Sequence, residues 1–369
     1  MACGIINKTM CFKMLTFYFN GGIVFKTACE KLNKYIDEYY NLNHNSGYLR
    51  VTIKDKIVFE RGFGYSDIEN KTEITNKSMF TFYSLSKPFC AIGLLKLKDK
   101  GLVDIDSHPS KYLPEAKLFD SPVTIRQILH HVSGLPDFIR TAGFDKKYQT
   151  GYSYELRKHI EELSTYPMAF EPGTSAMYAN VNFNICALII ENVSGMTYAE
   201  YIKKEVFEPL NMKSALVDNE NLVIDNRVKG YELIGGKITQ VESSKNWMLG
   251  AGDIVGTVDD VYCLNKAIKD KLILSSDTWK EVLTPSPLNE KGMGCTITEW
   301  NNKYRITHNG GSVGFRTLHI QLPEDDFDII LLSNSGWGNI RKDFADTIYE
   351  LFYGEPSLND NIKMDTGYI

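Results

Sequence analysis

The 369-residue chain has few cysteines, little net charge and no long hydrophobic run. No apolar segment approaches the roughly 18 residues of a membrane-spanning helix, so the sequence gives no clear membrane span. The 46 acidic and 41 basic residues leave a net charge of −5, without the basic excess of a nucleic-acid-binding protein. We therefore expect no nucleic-acid partner. Hydrophobic residues make up 43% of the chain, which is enough for a packed core and excludes general disorder.

The seven cysteines are widely spaced, and none belongs to a CxxC pair. This pattern predicts neither a disulfide framework nor a zinc site, and free thiols favour a reducing compartment. We therefore expect a cytoplasmic protein. Residues 10–19 are apolar, but the run is short and Lys13 interrupts it. Export or membrane association remains the alternative if this segment is a degenerate signal peptide.

Hydrophobic periodicity predicts helices at both ends of the chain and strands next to them. Helical patterns occupy residues 26–45, 84–100, much of 101–280, and 340–353, whereas strand patterns occupy 48–64 and 303–334. Segregated strands and helices favour an α+β fold. We expect an antiparallel sheet flanked by the terminal helices, with a large helical lobe inserted into it.

The predicted organisation is one domain with two lobes and short flanking segments. The predicted parts are an N-terminal extension (1–25), an α/β lobe (26–83 and 285–352), a helical lobe (84–284) and a C-terminal tail (353–369).

The first candidate for chemistry is Ser84-Leu85-Ser86-Lys87, at the start of the predicted helix over 84–100. Residues three apart on a helix share a face, so the lysine amine can reach the serine hydroxyl. A serine needs such an adjacent base to become a nucleophile, and a lysine acts as that base only when its surroundings favour the neutral amine. The alternative is a serine at a helix start beside a solvated lysine.

Two further triplets carry candidate groups. Tyr178-Ala179-Asn180 precedes an apolar helical pattern, and a phenol beside a lysine could exchange protons with the serine and the leaving group. Otherwise the ring only packs and the asparagine caps the helix. His308-Asn309-Gly310-Gly311 lies on a late strand, where glycines let a substrate approach the backbone. A lone strand histidine can equally be structural.

Together the three motifs resemble those of the serine β-lactamase and penicillin-binding-protein superfamily, in particular its class C branch. The resemblance covers about residues 45–352 in six segments, of which EPGTSAMYANVNFNICALIIENVSGMTYAEYIKKEVFEPLNM is the longest. The segments FTFYSLSKPF and HNGGSVGFRTLHIQLPEDDFDIILLSNS contain the first and third motifs. The resemblance implies a β-lactamase/transpeptidase-like fold, and it implies no metal and no organic cofactor.

The resemblance also implies a role for each residue. Ser84 would be the acylated nucleophile, and Lys87 and Tyr178 would share general acid–base duty. Asn180 would bind the substrate amide. His308 would contact either a substrate carboxylate or Tyr178. The backbone N–H groups of Ser84 and Gly311 would form the oxyanion hole.

The third motif departs from the lactamase pattern, because His308 stands where a lactamase has lysine. A histidine carries charge only when protonated. We therefore expect a serine hydrolase of the peptidase, aminopeptidase or esterase type, acting on a small-molecule or peptide substrate, rather than a dedicated β-lactamase. The alternative is a catalytically silent sensor, scaffold or filament-forming protein. The loops at 137–165 and 212–245 are expected to set the substrate, and the sequence does not indicate the oligomeric state.

Overall fold

The computed structural model describes residues 22–119, 121–138, 155–218, 222–242, 247–300 and 302–353. Most of the predicted N-terminal extension and C-terminal tail lies outside these ranges. Parts of the two loops that are expected to set the substrate also lie outside them.

The described residues form nine α-helices and thirteen strands. The helices are α1 (Gly22–Asn43), α2 (Lys87–Asp99), α3 (Ile125–Leu129), α4 (Leu156–Leu163), α5 (Asn180–Ser194), α6 (Tyr198–Ile202), α7 (Val258–Lys269), α8 (Ser276–Val282) and α9 (Ile340–Tyr353). The strands are β1 (Gly47–Ile53), β2 (Lys56–Phe63), β3 (Tyr65–Asp67), β4 (Thr72–Glu73), β5 (Phe80–Thr81), β6 (Leu216–Val217), β7 (Gly230–Ile234), β8 (Lys237–Val241), β9 (Ile254–Gly256), β10 (Thr296–Trp300), β11 (Lys303–Ser312), β12 (Phe315–Leu322) and β13 (Phe327–Ser333).

Six of these strands form one antiparallel sheet in the order β10-β11-β12-β13-β1-β2. The pairing of β1 with β13 joins the early part of the chain to the late part. Helices α1 and α9 pack on one face, where Phe344 stacks on Phe63 with ring centroids 5.4 Å apart. The other face carries Ile330 and Leu332 into the core of the helical lobe. Because both faces are covered, β13 is buried along its whole length, in keeping with its apolar run over residues 329–332.

The α+β architecture predicted from the sequence is confirmed. The strand pattern over residues 48–64 forms a hairpin of β1 and β2, and the terminal helices are in place. The structure differs inside the helical lobe, which also contains the β7–β8 hairpin and a small sheet of β5, β9 and β6. The hairpin turns at Gly235-Gly236. Two glycines between segments of alternating residues indicate a hairpin, but the prediction of a helical lobe did not take this signal into account.

The segment around Ser84 also differs from the predicted continuous helix. Residues Tyr83–Ser86 form a 3-10 turn, and α2 begins only at Lys87. Tyr83 has a positive φ of 48°, a conformation that is unusual for a bulky side chain. Phe82 donates its N–H to the Ile254 carbonyl (2.8 Å), which ties this turn to β9.

Two glycines allow the Tyr83–Ser86 turn to lie between neighbouring segments. A methyl group on Gly310 of β11 would overlap with the carbonyl oxygen of Phe82 and lie 3.0 Å from the Leu85 nitrogen. On the other side, a methyl group on Gly252 would lie 3.2 Å from the Tyr83 backbone. Gly310 therefore permits direct backbone contact between β11 and the turn that carries Ser84.

We predict that Gly310→Ala destabilises the protein by about 1–3 kcal/mol, because the added methyl group can be accommodated only if a backbone segment moves. Gly311→Ala is the matched control, since its nearest atoms are the flexible side chains of Arg316 and Arg341, both at 3.3 Å. Chemical denaturation of both variants measures the difference. Equal loss of stability in the two variants would contradict the proposed packing constraint.

Candidate active site

Ser84, Lys87 and Tyr178 meet in one cluster, as the sequence predicted. Lys87 donates from Nζ to Ser84 Oγ at 3.0 Å, and the Tyr178 hydroxyl is hydrogen-bonded to Ser84 Oγ at 2.7 Å. Heavy-atom positions do not fix the direction of a bond between two hydroxyls, so it can run either way. Ser84 Oγ is therefore in hydrogen-bond contact with two groups that can exchange protons with it.

Lys87 is fully buried, and its amine contacts two further oxygens. Nζ donates to Asn180 Oδ1 at 2.8 Å and to the Ala251 carbonyl at 2.7 Å. The sequence analysis singled out Asn180, but it gave no role to the Gly250-Ala251-Gly252 segment. A backbone acceptor leaves no side-chain signature, so no motif could have identified Ala251.

The turn containing Ala251 is held by a buried carboxylate. Asp253 Oδ2 accepts a hydrogen bond from the Gly250 N–H at 3.0 Å, and Ser86 Oγ accepts one from the Ile254 N–H at 3.0 Å. Burial raises the pKa of the Asp253 carboxyl to about 7, against an opposing effect of the Gly250 hydrogen bond. These two contacts fix the Ala251 carbonyl relative to the turn that carries Ser84.

Tyr178 and Asn180 lie at the start of α5, Tyr178 two residues before Asn180. Asn180 is the first residue of this helix, and its backbone N–H donates to Asp137 Oδ2 at 2.9 Å. A carboxylate at a helix N-terminus satisfies an otherwise unpaired N–H and complements the helix dipole. Asn180 is therefore held by Asp137 on its backbone and by Lys87 on its side chain.

His308 lies at the site, but its surroundings differ from the expectation that it could carry charge. Its Nδ1 is hydrogen-bonded to the Asn309 carbonyl at 2.7 Å, so Nδ1 holds a proton and a neutral ring keeps Nε2 as an acceptor. Burial, together with the positive charges of Lys291 and Lys87, lowers the pKa of His308 well below its ordinary value. The interpretation of His308 as a cationic carboxylate anchor is therefore not supported. With Nδ1 as the donor, Nε2 of the neutral ring is suited to accept a hydrogen bond from Tyr178 or from the substrate.

Lys291 is a cation near the site that the sequence analysis missed. Its Nζ lies 5.8 Å from the centre of the Tyr178 ring and donates to Thr296 Oγ1 at 2.9 Å. The positive charge of Lys291 contributes to the lowered pKa of both His308 and His131. Lys291 belongs to no recognised triplet and is distant in sequence from the other site residues, so spacing could not have indicated it.

Gly311 follows the glycine that packs against the Ser84 turn. Pairing between β10 and β11 extends from Lys303 to Thr307, and β11 then continues past the turn as far as Ser312. Gly310, the neighbour of Gly311, is the glycine that lies against Phe82 and Leu85 of the nucleophile segment. The pairing of the Gly311 N–H with that of Ser84 in an oxyanion hole stays a prediction.

A separate cavity of about 570 Å³ lies between α3 and α8. Arg126, His130, Lys280 and Glu281 are among its lining residues, and it contains none of the residues of the site. It is therefore not assigned to the substrate. Within the described ranges, no cluster of His, Cys, Asp and Glu could hold a metal ion, and no helix combines the length and hydrophobicity needed to cross a membrane.

Comparison with known families and proteins agrees with this fold. A family profile described as Beta-lactamase matches residues 32–350. Penicillin-binding protein 4* of Bacillus subtilis (strain 168) is 30% identical over 301 residues, which cover 75% of this chain. The match covers 65% of that relative, so the chain spans just under two thirds of its length.

Solved structures show the same fold at low sequence identity. EstCE1, described as a hydrolase with promiscuous acyltransferase activity, superposes with a TM-score of 0.77 at 16% identity, covering 90% of this chain and 100% of that one. The D-amino acid amidase of Ochrobactrum anthropi SV3, in complex with L-phenylalanine amide, gives 0.75 at 22% identity, covering 89% and 99%. At these identities the superpositions establish the fold alone.

We predict that the KM of an anionic substrate, divided by that of a matched neutral substrate, stays constant between about pH 6 and pH 8. Burial, with the charges of Lys291 and Lys87, lowers the pKa of His308 well below its ordinary value, so loss of its proton is shifted below the ordinary titration range of histidine. The pH dependence of the chemical step is the same for both substrates, so it cancels in the ratio of the two KM values. Steady-state kinetics on one pair of esters measures the ratio. A steep rise of this KM ratio with pH would indicate that a cationic His308 binds the anionic substrate.

Proposed function

Because the chain belongs to the beta-lactamase family, we propose that it is a serine hydrolase that cleaves an amide or ester through a covalent acyl-enzyme on Ser84. The observation that carries the proposal is the double contact of Ser84 Oγ, at 3.0 Å from Lys87 Nζ and 2.7 Å from the Tyr178 hydroxyl. A serine is a weak nucleophile until a neighbouring base accepts its proton. Both neighbours can supply that base.

In the acylation step, Ser84 Oγ attacks the substrate carbonyl carbon and forms a C–O bond. Its proton passes to the Tyr178–Lys87 pair, in which either the phenol oxygen or the amine nitrogen is unprotonated. The same proton then moves to the leaving nitrogen or oxygen as the scissile bond breaks. In deacylation the pair accepts a proton from a water molecule whose oxygen attacks the acyl carbon. The C–O bond to Ser84 Oγ then breaks, and the same proton passes from the pair to Oγ as the acid product leaves.

Backbone groups support the charge that develops on the carbonyl oxygen. The N–H groups of Ser84 and Gly311 are the proposed donors, since β11 packs directly against the Ser84 turn at Gly310. Fixed donors of this kind act without reorganisation in a site that excludes water. Asn180, held by Lys87, is the proposed contact for the substrate amide.

A substrate with an anionic group fits the charge of the site. Lys291 brings an ammonium group close to the Tyr178 ring, whereas His308 is held neutral. We therefore assign attraction of a substrate carboxylate to Lys291 rather than to His308. This arrangement differs from that of a dedicated β-lactamase, whose charge lies on the third motif itself, and it favours the peptidase or esterase types.

We predict that Ser84→Ala lowers kcat by about 10³-fold or more without unfolding the protein, because it removes only the nucleophile. Ser78→Ala is the matched control: Ser78 is also buried and accepts a backbone hydrogen bond, from the Thr75 N–H at 3.0 Å, but it is not part of the site. Mass spectrometry after treatment with a fluorophosphonate or a penicillin should find an adduct on Ser84 in the wild type and in Ser78→Ala. Absence of any adduct with both probes would favour a catalytically silent protein.

We predict that Lys291→Met raises the KM of an anionic substrate about two- to fivefold, which corresponds to loss of a partly exposed ion pair of about 0.5–1 kcal/mol. The KM of a neutral substrate with the same acyl group should change little. Lys303→Met is the control, since Lys303 pairs with Asp325 at the opposite end of β11. If Lys291→Met affects both substrates equally, Lys291 has no part in carboxylate recognition.

A further inference from the structure

We propose that His131 is a positioning residue that holds the Tyr178 phenol in line with Ser84, an inference that rests on the proposed function. His131 lies two residues beyond the end of α3 and belongs to none of the three sequence motifs. In the structure it is buried and lies against the segment that carries Tyr178. Its contacts reach Tyr178 in three separate ways.

The first contact is between the rings. The His131 and Tyr178 rings are nearly parallel, with centroids 4.4 Å apart and an angle of 27° between their planes. Aromatic rings at this separation are in direct stacking contact, which restricts rotation of the phenol about its side-chain bonds. The Tyr178 hydroxyl needs that restriction to stay 2.7 Å from Ser84 Oγ.

The second contact is made by the imidazole nitrogen. His131 Nδ1 lies 3.2 Å from the Ala179 backbone nitrogen and 3.2 Å from Asn182 Nδ2. Both of these groups are donors, so Nδ1 is an acceptor and the ring proton is on Nε2. A doubly protonated ring would lose both bonds. Burial and the charges of Lys87 and Lys291 keep the pKa of His131 well below its ordinary value, which preserves the accepting form.

The third contact is made by the backbone. The His131 carbonyl accepts a hydrogen bond from the Met177 N–H at 3.0 Å. The residues on both sides of Tyr178 therefore donate to His131, one to its carbonyl and one to its ring. His131 adopts a positive φ of 58°, which is sparsely populated for a residue of this size. Such conformations persist where the surrounding contacts determine them, and they cluster at functional sites.

These contacts predict how loss of His131 affects the reaction. His131 acts on Tyr178 and on the peptide groups next to it, so any effect on rate passes through the position of the phenol. A displacement of about 1 Å in a group that takes part in the chemistry costs on the order of 100-fold in rate. The expected effect is therefore on kcat and on acylation rather than on KM.

The test is a double-mutant cycle between His131→Asn and Tyr178→Phe. Asparagine keeps an oxygen acceptor near the position of Nδ1 and tolerates a positive φ, but it removes the stacked ring. Tyr178→Phe should lower kcat by about 10²–10⁴-fold. His131→Asn should lower kcat by about 10-fold to 100-fold in the wild type, with KM nearly constant, but by less than about threefold in the Tyr178→Phe background.

The rate of labelling by a fluorophosphonate provides a second readout that can be followed when turnover is slow. His159→Asn is the matched control, since His159 is a buried histidine of the same lobe, on α4, that packs against Phe138. It should change kcat little in either background. If His131→Asn fails to fold, His131→Phe, which keeps a ring and loses the acceptor, replaces it in the cycle.

Two outcomes separate failure of this inference from failure of the proposed function. Equal losses of kcat from His131→Asn in both backgrounds would give His131 a general structural role and overturn the inference. A fully active His131→Asn variant would also overturn it. In both cases Ser84→Ala and Tyr178→Phe would still be inactive. If those two variants kept their activity instead, the proposed function itself would be wrong.

Discussion

The organisation of the site depends on the burial of one amine. Lys87 is fully buried, and an amine buried without partners costs several kcal/mol. Its partners are Ser84 Oγ, Asn180 Oδ1 and the Ala251 carbonyl, which come from three separate parts of the chain. The turn before α2, the start of α5 and the segment before β9 must therefore meet at Nζ. The same requirement brings Ser84 and Tyr178 together.

Further contacts hold in place the groups that surround Lys87. Asp137 holds the backbone of Asn180, and Asp253 holds the turn that presents Ala251. Gly310 lets β11 pack directly against the Ser84 turn, which links the helical lobe to the six-stranded sheet. Each partner of the amine is thus fixed by a group from a further segment. Precise placement of a catalytic group requires support of this kind.

The sequence predicted those parts of the fold and site that leave a local pattern. Ser84 and Lys87 are three residues apart, so their contact follows from local geometry, and the strand pattern over residues 303–334 corresponds to β11, β12 and β13. Ala251 acts through its carbonyl, which no residue type reveals. His131 meets Tyr178 across 47 positions, and only tertiary packing brings them together. Contacts between single residues that are far apart in the sequence leave no periodic pattern, so the sequence alone does not predict them.

The electrostatics of the site explain why its lysines and histidines have different tasks. Lys87 and Lys291 lie 4.8 Å and 5.8 Å from the centre of the Tyr178 ring, so two ammonium groups already act on this small volume. Protonation of His131 or His308 would add a further positive charge to buried groups, and the pKa of each is accordingly lowered. The lowered pKa values favour neutral histidines that act through hydrogen bonds. In the proposed arrangement, Lys291, which lies before β10, supplies the cation for a substrate carboxylate, and His308 on β11 does not.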